Sequence, residues 1–184
     1  QVRNNHQDNW PVNPYEMTEA FKPAGVSGGD EAYRRSVYTS WRRTSPPPAM
    51  LAFDAPRRAV CTAKRERTDS PLQALILLNG VQYVEAARVL GEHLLQGSGG
   101  DVESMIREGC VRCWSREPDD AELRILKGLW VEQLQHFAGD PERAAELLKV
   151  GQRKASGGLV PAEAAAATVL AQALLAYDEC VVRR

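Results

Sequence analysis

The stretch CTAKRERTDSPLQALILLN, residues 61–79, decides the fold, because a charged segment gives way there to a leucine-rich helix. Ser70 precedes Pro71, and Gln73 follows three residues after the serine. In such a capping box the serine hydroxyl accepts from the backbone N–H of Gln73, and the glutamine side chain reaches back to the serine N–H. Proline suits the first helical position, where the N–H that it lacks would have no partner. The pattern therefore predicts a helix that begins at Pro71.

The apolar residues after this cap predict that the helix is buried. They recur at helical spacing, and Leu77 widens the apolar face that they form: Leu72, Leu75, Ile76 and Leu78. A helix that is apolar over most of its circumference usually belongs to a core. We therefore expect the charged run at 64–67 to lie at the rim of that core.

Downstream of this helix the sequence predicts a mainly α fold, a bundle of about five to six helices. A second helix follows Asn79-Gly80 and runs to about Leu95, with Val84, Ala87, Leu90 and Leu94 on its inner face. The signals for the later helices are Asp101 as a cap, Pro118, Asp140-Pro141, and Pro161 for a final helix to about Val182.

Upstream, the sequence predicts an extended arm and a short strand or hairpin. Residues 1–32 are rich in Asn, Gln, Pro and Gly, which indicates an arm or linker. Residues 33–44 alternate in the two-residue period of a strand, and residues 59–63 can pair with them as a second strand. Between the two, Pro46–Pro48 predicts an extended polyproline segment. We therefore divide the chain into the arm, 1–32, and one domain, 33–184, with a basic strand and loop segment at 33–69 and helices at 70–184.

The charge is unevenly distributed along the chain. Its 184 residues carry a formal net charge of −1, so we expect no nucleic-acid partner. Residues 34–67 hold eight arginines and one lysine against Asp54 and Glu66, which is a net +7. Such asymmetry is typical of an anion-binding face or of an interface with an acidic surface. The most apolar stretch, 164–177, falls short of the ~20 residues that a membrane span requires.

An arginine–aromatic block is the candidate ligand site. It interleaves guanidinium groups with rings, and the later arginines of the basic segment extend it: Arg34, Arg35, Tyr38, Trp41, Arg42, Arg43, Arg65 and Arg67. Planar guanidinium groups suit sulfate, phosphate or carboxylate ligands, and rings can stack on sugars. Alternatively, the arginines pair with acidic helices and only stabilise the fold, which the opposite charges of the two halves favour.

No catalytic or metal-binding residues are predicted. Asp54 and Glu66 could act as a glycosidase-like carboxylate pair, but neutralising nearby arginines is the favoured hypothesis. The Cys110-Val-Arg-Cys113 motif is not followed by His, so it is not a c-type haem attachment site. A zinc site would need Cys61, Cys180 or a histidine to converge on it. Buried inert thiols are the favoured interpretation, and a disulfide or redox role is the alternative.

Four quoted stretches together resemble a known family. They are YRRSVYTSWRRTSPPPAMLAFDAP (33–56), CTAKRERTDSPLQALILLNGVQYVEAARVL (61–90), REPDDAEL (116–123) and ALLAYDECVVRR (173–184). Over residues 33–184 the chain resembles domain of unknown function 1553, a planctomycete-specific C-terminal domain. Its parent proteins are large and multidomain, and they often carry a cytochrome c-like domain upstream. The family usually has Asp-Pro where this chain has Gly80-Val81.

The resemblance implies a bacterial, exported protein that is periplasmic or extracellular. It implies haem c elsewhere in the parent and no cofactor in this chain. The chain opens with Gln, so we expect that it is excised from a longer precursor. We expect a non-catalytic docking or structural module whose partners are other domains of the same polypeptide. The alternatives are a site for an anion or a sulfated, anionic polysaccharide within a larger enzyme, and a partner module for an upstream cytochrome in electron transfer.

Overall fold

The described part of the chain is helical. A computed structural model describes residues 33, 46–56, 58, 60–64 and 66–181. Among these residues there are eight helices and no strand. They are α1 (Pro48–Ala52), α2 (Pro71–Asn79), α3 (Val81–Ser98), α4 (Val102–Trp114), α5 (Asp120–Gly139), α6 (Pro141–Leu148), α7 (Pro161–Ala176) and α8 (Asp178–Val181). None of these described helices has the length and apolarity that a bilayer span needs.

The chain divides into two compact units, Gln1–Gln73 and Ala74–Arg184. In the second unit, α7 is the central helix and packs against α3, α5 and α6. Small side chains allow this packing, because Gly91 of α3 faces α7 so closely that a Cβ there would stand 2.7 Å from the backbone of Ala167. The alanine run of α7, residues 164–167, is fully buried against its neighbours.

The hydrophobic core of the second unit draws on all the longer helices. Its large buried side chains are Leu94, Met105, Ile106, Trp114, Leu123, Leu126, Trp130, Phe137, Leu170 and Leu174. The predicted inner face of α3 is confirmed by three buried residues, Val84, Ala87 and Leu94. Leu90 is only partly buried and packs against the core cluster from outside.

Three charged residues are buried together on α3 and fasten the loop between α6 and α7. Arg88 is 0% exposed, and its guanidinium donates to Glu92 at 2.7 Å and to the carbonyl of Arg153 at 2.6 Å. Glu85 accepts from the backbone N–H of Arg153 at 2.5 Å. Glu92 accepts from the hydroxyl of Ser156 at 2.8 Å. The sequence analysis missed this cluster, although charges at i, i+3 and i+7 beside an apolar face were the available signal.

The mainly α class is confirmed, but the predicted number of five to six helices is wrong. Six predicted helices are present as α2 to α7, and two short ones are added. Pro48 begins α1 instead of continuing an extended segment, while Pro47 is extended, with φ −59° and ψ 123°. The final helix breaks at Tyr177, with φ −70° and ψ 140°, so that α8 is separate. The fourth predicted helix, α5, is capped by Asp119 and does not begin at Pro118.

The predicted second strand of the hairpin is wrong for the residues that can be compared. Residues 60–63 are exposed and lie in no strand. Of the first predicted strand, 33–44, only Tyr33 lies within the described residues, and it belongs to a 3-10 turn. The extended arm at 1–32, and with it the predicted boundary at residue 32, lies outside the described residues and stays a prediction.

The prediction that the leucines of α2 form a buried face is also wrong. Leu72, Leu75 and Leu78 are 55%, 57% and 44% exposed, and we call them the leucine face. Gln73 and Leu77, one helical turn apart, are buried instead. The buried Gln73 side chain faces inward because its amide donates hydrogen bonds to the carbonyl of Ala52 and to the Thr68 hydroxyl. A polar residue, and not the leucine spacing, therefore sets which side of α2 faces inward.

Asn79-Gly80 ends α2 as predicted, and the contacts explain why. A Cβ on Gly80 would stand 2.7 Å from the carbonyl oxygen of Ile76, so only glycine fits there. The side chain of Asn79 donates to the carbonyl of Leu75 at 3.0 Å, and Gln172 of α7 donates to the carbonyl of Leu78 at 3.0 Å. Of the last four carbonyl groups of α2, that of Leu78 is thus satisfied by Gln172, and that of Ile76 accepts from the backbone N–H of Gly80 at 2.7 Å.

Candidate functional site

Among the described residues of the first unit, a polar cluster ties residue 54 to residue 68. The backbone N–H of Thr68 donates to the carboxylate of Asp54 at 2.7 Å. The Thr68 hydroxyl lies 2.9 and 3.0 Å from the two carboxylate oxygens and donates to them. Asp54 has a φ of 58°, a left-handed conformation that Asp adopts more readily than most residues. We call this set of bonds the Asp54–Thr68 clasp.

Gln73 completes the clasp from the first turn of α2. Its amide N–H donates to the carbonyl of Ala52 at 2.8 Å and to the Thr68 hydroxyl oxygen at 3.2 Å. Its amide oxygen accepts from the backbone N–H of Ser70 at 3.1 Å, and Ser70 Oγ accepts from the N–H of Gln73 at 3.4 Å. The predicted capping box is therefore confirmed. The same glutamine that caps the helix also fastens the clasp.

The clasp closes a charged loop at its base. Residues 55–67, which we call the basic loop, carry five cations and one acid, a net +4. Every described residue from 56 to 69 is exposed. An exposed loop with a net positive charge can contact an acidic surface or a polyanion. The carboxylate of Asp54 accepts the hydrogen bonds of the clasp, and its predicted neutralisation of nearby arginines stays a prediction.

The arginine–aromatic block is not tested by the structure. Seven of its eight predicted residues lie outside the described part of the chain: Arg34, Arg35, Tyr38, Trp41, Arg42, Arg43 and Arg65. The eighth, Arg67, is exposed and lies at the end of the basic loop. Anion binding by this block therefore stays a prediction.

A second polar cluster, in the second unit, fastens α8. Arg116 makes a two-pronged ion pair with Glu122, at 2.7 and 2.8 Å. Its Nε atom also donates to Glu179 of α8 at 2.7 Å. Glu122 is at the same time the third residue of a complete capping box with Asp119. We call this set the Arg116 cluster.

The Arg116 cluster has a marked electrostatic effect on Glu122. The hydrogen bonds from Arg116 lower the pKa of this carboxyl to about 2, and the backbone N–H of Asp119 adds to the effect. Arg116 also lies over the ring of Trp114, 5.2 Å from its centroid. One arginine thus joins the end of α4, the start of α5 and α8.

The stretches that carry the resemblance meet in pairs within each unit. The clasp joins FDAP (53–56) to TDSPLQ (68–73), and the Arg116 cluster joins REPDDAEL (116–123) to YDEC (177–180). The bonds of Gln73 and Arg116 fasten loop residues to helices, whereas those between Asp54 and Thr68 join two loop residues.

The cysteines occupy three different environments. Cys61 is exposed on the basic loop, Cys110 is buried, and Cys113 and Cys180 are half-buried. Cys113 and Cys180 both pack against the hydrophobic core cluster that contains Cys110. Within the described ranges, no group of three or more His, Cys, Asp and Glu side chains could hold a metal ion.

Fold and site together define a class of protein: a mostly helical domain whose polar clusters fasten loops to helices. A family model described as PSD1, protein of unknown function (DUF1553), matches residues 2–130, and the chain belongs to this family. The match begins within the N-terminal segment that the resemblance left out, and it ends within α5, before the closing ALLAYDECVVRR. No curated protein and no solved structure matches the chain.

Proposed function

We propose that this chain is a non-catalytic docking module of a multidomain protein, and that its partner is another domain of the same polypeptide. The observation that carries the proposal is the leucine face of α2, whose three side chains are 44–57% exposed. Single exposed apolar residues are ordinary, but three successive leucines on one helical face favour an interface. Burying a leucine side chain stabilises an association by about 1.5–3 kcal/mol.

The chemistry of the partner follows from the charge of the segment before α2. The basic loop carries net +4 and ends only a few residues before Pro71 in the sequence. A partner of both segments offers an apolar surface to the leucine face and acidic groups to the basic loop. Such acidic groups guide association and set orientation more than they add affinity.

Titration calorimetry of this chain against the separately expressed remainder of the parent polypeptide tests the proposal. We expect Leu75→Asp to weaken binding at least tenfold, because a tenfold change needs only about 1.4 kcal/mol. The matched control is Ile125→Asp on α5, which is 70% exposed but lies outside the leucine face. It should bind like wild type. Equal weakening by both variants contradicts the proposal, as does self-association of the chain that Leu75→Asp abolishes.

The second candidate function is recognition of an anion or a sulfated glycan within a larger enzyme. The exposure of the described residues of the basic loop, together with the clasp at its base, supports it. Guanidinium and ammonium groups held on one loop suit sulfate groups spaced along a polysaccharide. The test of this candidate is given in the Discussion.

The cellular context is part of the same proposal and is supported by the resemblance. We place the parent protein outside the cytoplasm of a bacterium, with haem c bound by another of its domains. As a further alternative, docking would hold this module beside that cytochrome domain during electron transfer. Haem staining of the full-length parent after subcellular fractionation tests both points, because haem c stays covalently attached in denaturing gels.

A further inference from the structure

The turn between α6 and α7 carries three cations around a pocket. Lys149, Arg153 and Lys154 line this pocket, whose volume is about 430 Å³. Small-molecule sites commonly have volumes of about 300–1,000 Å³, so the pocket is large enough to be one. All three cations are exposed, and within the described part of the chain none of their side chains has an ion-pair partner. The described residues of the lining include no Asp or Glu, so the positive charges are not offset within the pocket.

Most of the remaining lining is apolar. Ala145 and Leu148 of α6, Ala155 of the turn and Pro161 at the start of α7 line the pocket beside the cations. Small-molecule sites typically combine such apolar surface with a few polar groups that fix the orientation of the ligand. An inorganic ion would leave the apolar surface uncovered. The lining therefore suits an organic ligand that has an apolar body and an anionic group.

Buried charges hold the backbone of this turn in one position. The carbonyl of Arg153 accepts from Arg88 at 2.6 Å, and its N–H donates to Glu85 at 2.5 Å. The hydroxyl of Ser156 donates to Glu92 at 2.8 Å. These bonds use only the backbone of Arg153, so its side chain stays in the lining of the pocket. A turn that is already in position loses little freedom when a ligand binds, which favours affinity.

Gly151 brings the turn against the buried charges. Its φ is 99°, a conformation that favours glycine. A Cβ at this position would collide with the side chain of Glu85. Lys149 lies two residues before this glycine, and Arg153 lies two residues after it. The turn therefore brings cations from both sides of the glycine to one pocket.

We propose that this pocket binds a phosphate or sulfate ester of an apolar small molecule. The guanidinium of Arg153 donates parallel hydrogen bonds to the oxyanion, and the ammonium groups of Lys149 and Lys154 contact its other oxygens. Three cations suit a tetrahedral oxyanion with three terminal oxygens better than a carboxylate with two. The apolar body lies against Ala145 and Leu148. The site uses no residue of the leucine face or the basic loop, so it is independent of the proposed docking function.

Titration calorimetry of the chain with naphthyl phosphate tests the proposal. Naphthol and inorganic phosphate are the matched control ligands, because each supplies only one part of the ester. We expect naphthyl phosphate to bind at least about tenfold more tightly than either control. Naphthyl sulfate is the second ester, and the tighter binder of the two identifies the class that the pocket prefers. A control ligand that binds as tightly as the esters overturns the proposal, as does the absence of binding by both esters at millimolar concentration.

A double variant of the lining locates the binding. Arg153→Gln with Lys154→Gln should weaken the binding of naphthyl phosphate at least about tenfold. It should melt like wild type, because both side chains are exposed and the bonds to the buried charges use the backbone. The matched control is Arg124→Gln on α5, an exposed arginine outside the lining, which should bind like wild type.

Two single variants complete the test. Lys149→Gln lies on the other side of Gly151 and should also weaken binding, which keeps the proposal testable if the double variant does not fold. Leu75→Asp should bind naphthyl phosphate like wild type, which separates this pocket from the leucine face. Weakening by Leu75→Asp or Arg124→Gln that equals the weakening by the lining variants overturns the proposal. So does binding that the lining variants leave unchanged.

Discussion

At the scale of single residues, Arg88 shows how much burial changes the value of an ion pair. Arg88 and Glu92 are four apart on α3, with both side chains at most 5% exposed. Glu108 and Arg112 are also four apart on α4, but their side chains are 37% and 49% exposed. The two pairs share chemistry and spacing, so they form a natural comparison.

We expect Arg88→Met to lower the free energy of unfolding by about 3–5 kcal/mol, because it leaves the carboxylates of Glu85 and Glu92 buried without their cation. Arg112→Met should cost at most about 1 kcal/mol, as usual for an exposed pair. Urea unfolding of both variants measures the difference. Similar losses in the two variants would show that the cluster on α3 is open to water.

A second prediction concerns Gln73, which both caps α2 and holds the clasp. Gln73→Glu replaces the donor to the carbonyl of Ala52 by an oxygen, so the folded protein favours the protonated acid and the pKa of the introduced carboxyl should rise. The variant is then near wild type below the ordinary Glu pKa. As pH rises it loses about 1–3 kcal/mol, the cost of an unsatisfied buried group.

Unfolding measured at pH 4 and pH 7 checks this prediction. Ser70→Ala is the control, since it removes the other half of the capping box without adding a charge. Ser70→Ala should lower the free energy of unfolding by about 0.5–2 kcal/mol. We expect the lower end of this range, because the bond from the Gln73 N–H to Ser70 Oγ is 3.4 Å long. The loss should be equal at both pH values. A pH-independent loss in Gln73→Glu would mean that the amide donor is unimportant.

At the scale of elements, the capping signals and the inner face of α3 were predictable from sequence, and the buried face of α2 was not. The boxes at Ser70 and Asp119 and the cap at Asp101 depend on neighbouring residues in the chain, and two of these three were predicted. The inward face of α2 depends on bonds from Gln73 to Ala52 and Thr68. The spacing of apolar residues along the helix carries no information about such bonds. For this reason the leucine spacing predicted the wrong buried face of α2.

The break between α7 and α8 was missed for a similar reason. Neither Gly nor Pro lies near Tyr177 to indicate an end of the helix. Instead, the indole N–H of Trp114 donates to the carbonyl of Leu174. In a continuing helix this carbonyl would accept from the N–H of residue 178. The ring of Tyr177 also turns onto Trp114. The break is therefore a product of tertiary packing.

The Arg116 cluster predicts how the joint between α4, α5 and α8 responds to acid. The pKa of Glu122 is lowered to about 2 in the folded protein. A lowered folded-state pKa stabilises the protein above the ordinary Glu range, and this stabilisation disappears as the pH falls towards 2. We expect the stability difference between wild type and Glu122→Gln to shrink between about pH 5 and pH 2.

Thermal unfolding across that pH range measures this difference. The control is Glu132→Gln, an exposed position on the same helix. Its difference from wild type should change little over the same range. A constant difference for Glu122→Gln would show that Arg116 does not stabilise this carboxylate.

At the scale of the whole molecule, the mainly α class and the family could be predicted from sequence, while the site could be predicted only in part. Local signals along the chain define the helices from α2 to α7. The cluster on α3 arises only when this helix packs against the separate loop at 153–156. The arginine–aromatic block, the principal candidate for a site, lies almost wholly outside the described residues.

The last prediction separates the two proposed functions. On the hypothesis favoured from the sequence, that these arginines pair with acidic helices, we expect the double variant Arg42→Glu and Arg43→Glu to lower the melting temperature by several degrees. Wild type should bind heparin only weakly. Arg124→Glu, an exposed position on α5, is the control and should leave the melting temperature unchanged.

Heparin chromatography and calorimetry together decide the outcome. Tight binding that weakens steeply with salt, and that the double variant abolishes without a change in melting temperature, would favour glycan recognition over docking. Screening over a Debye length of about 10 Å at 0.1 M salt gives such binding its salt dependence.

The Asp54–Thr68 clasp also determines how the basic loop engages any acidic partner. The ends of an unrestrained flexible segment of this length would lie about 20 Å apart as a root-mean-square distance. In this protein the hydrogen bonds between Asp54 and Thr68 hold them together. Once one cation touches the partner, the others are confined nearby and act at a high effective concentration. Each exposed ion pair contributes at most about 1 kcal/mol alone. The closed loop thus behaves as a multivalent ligand, whose avidity exceeds that of any one of its cations.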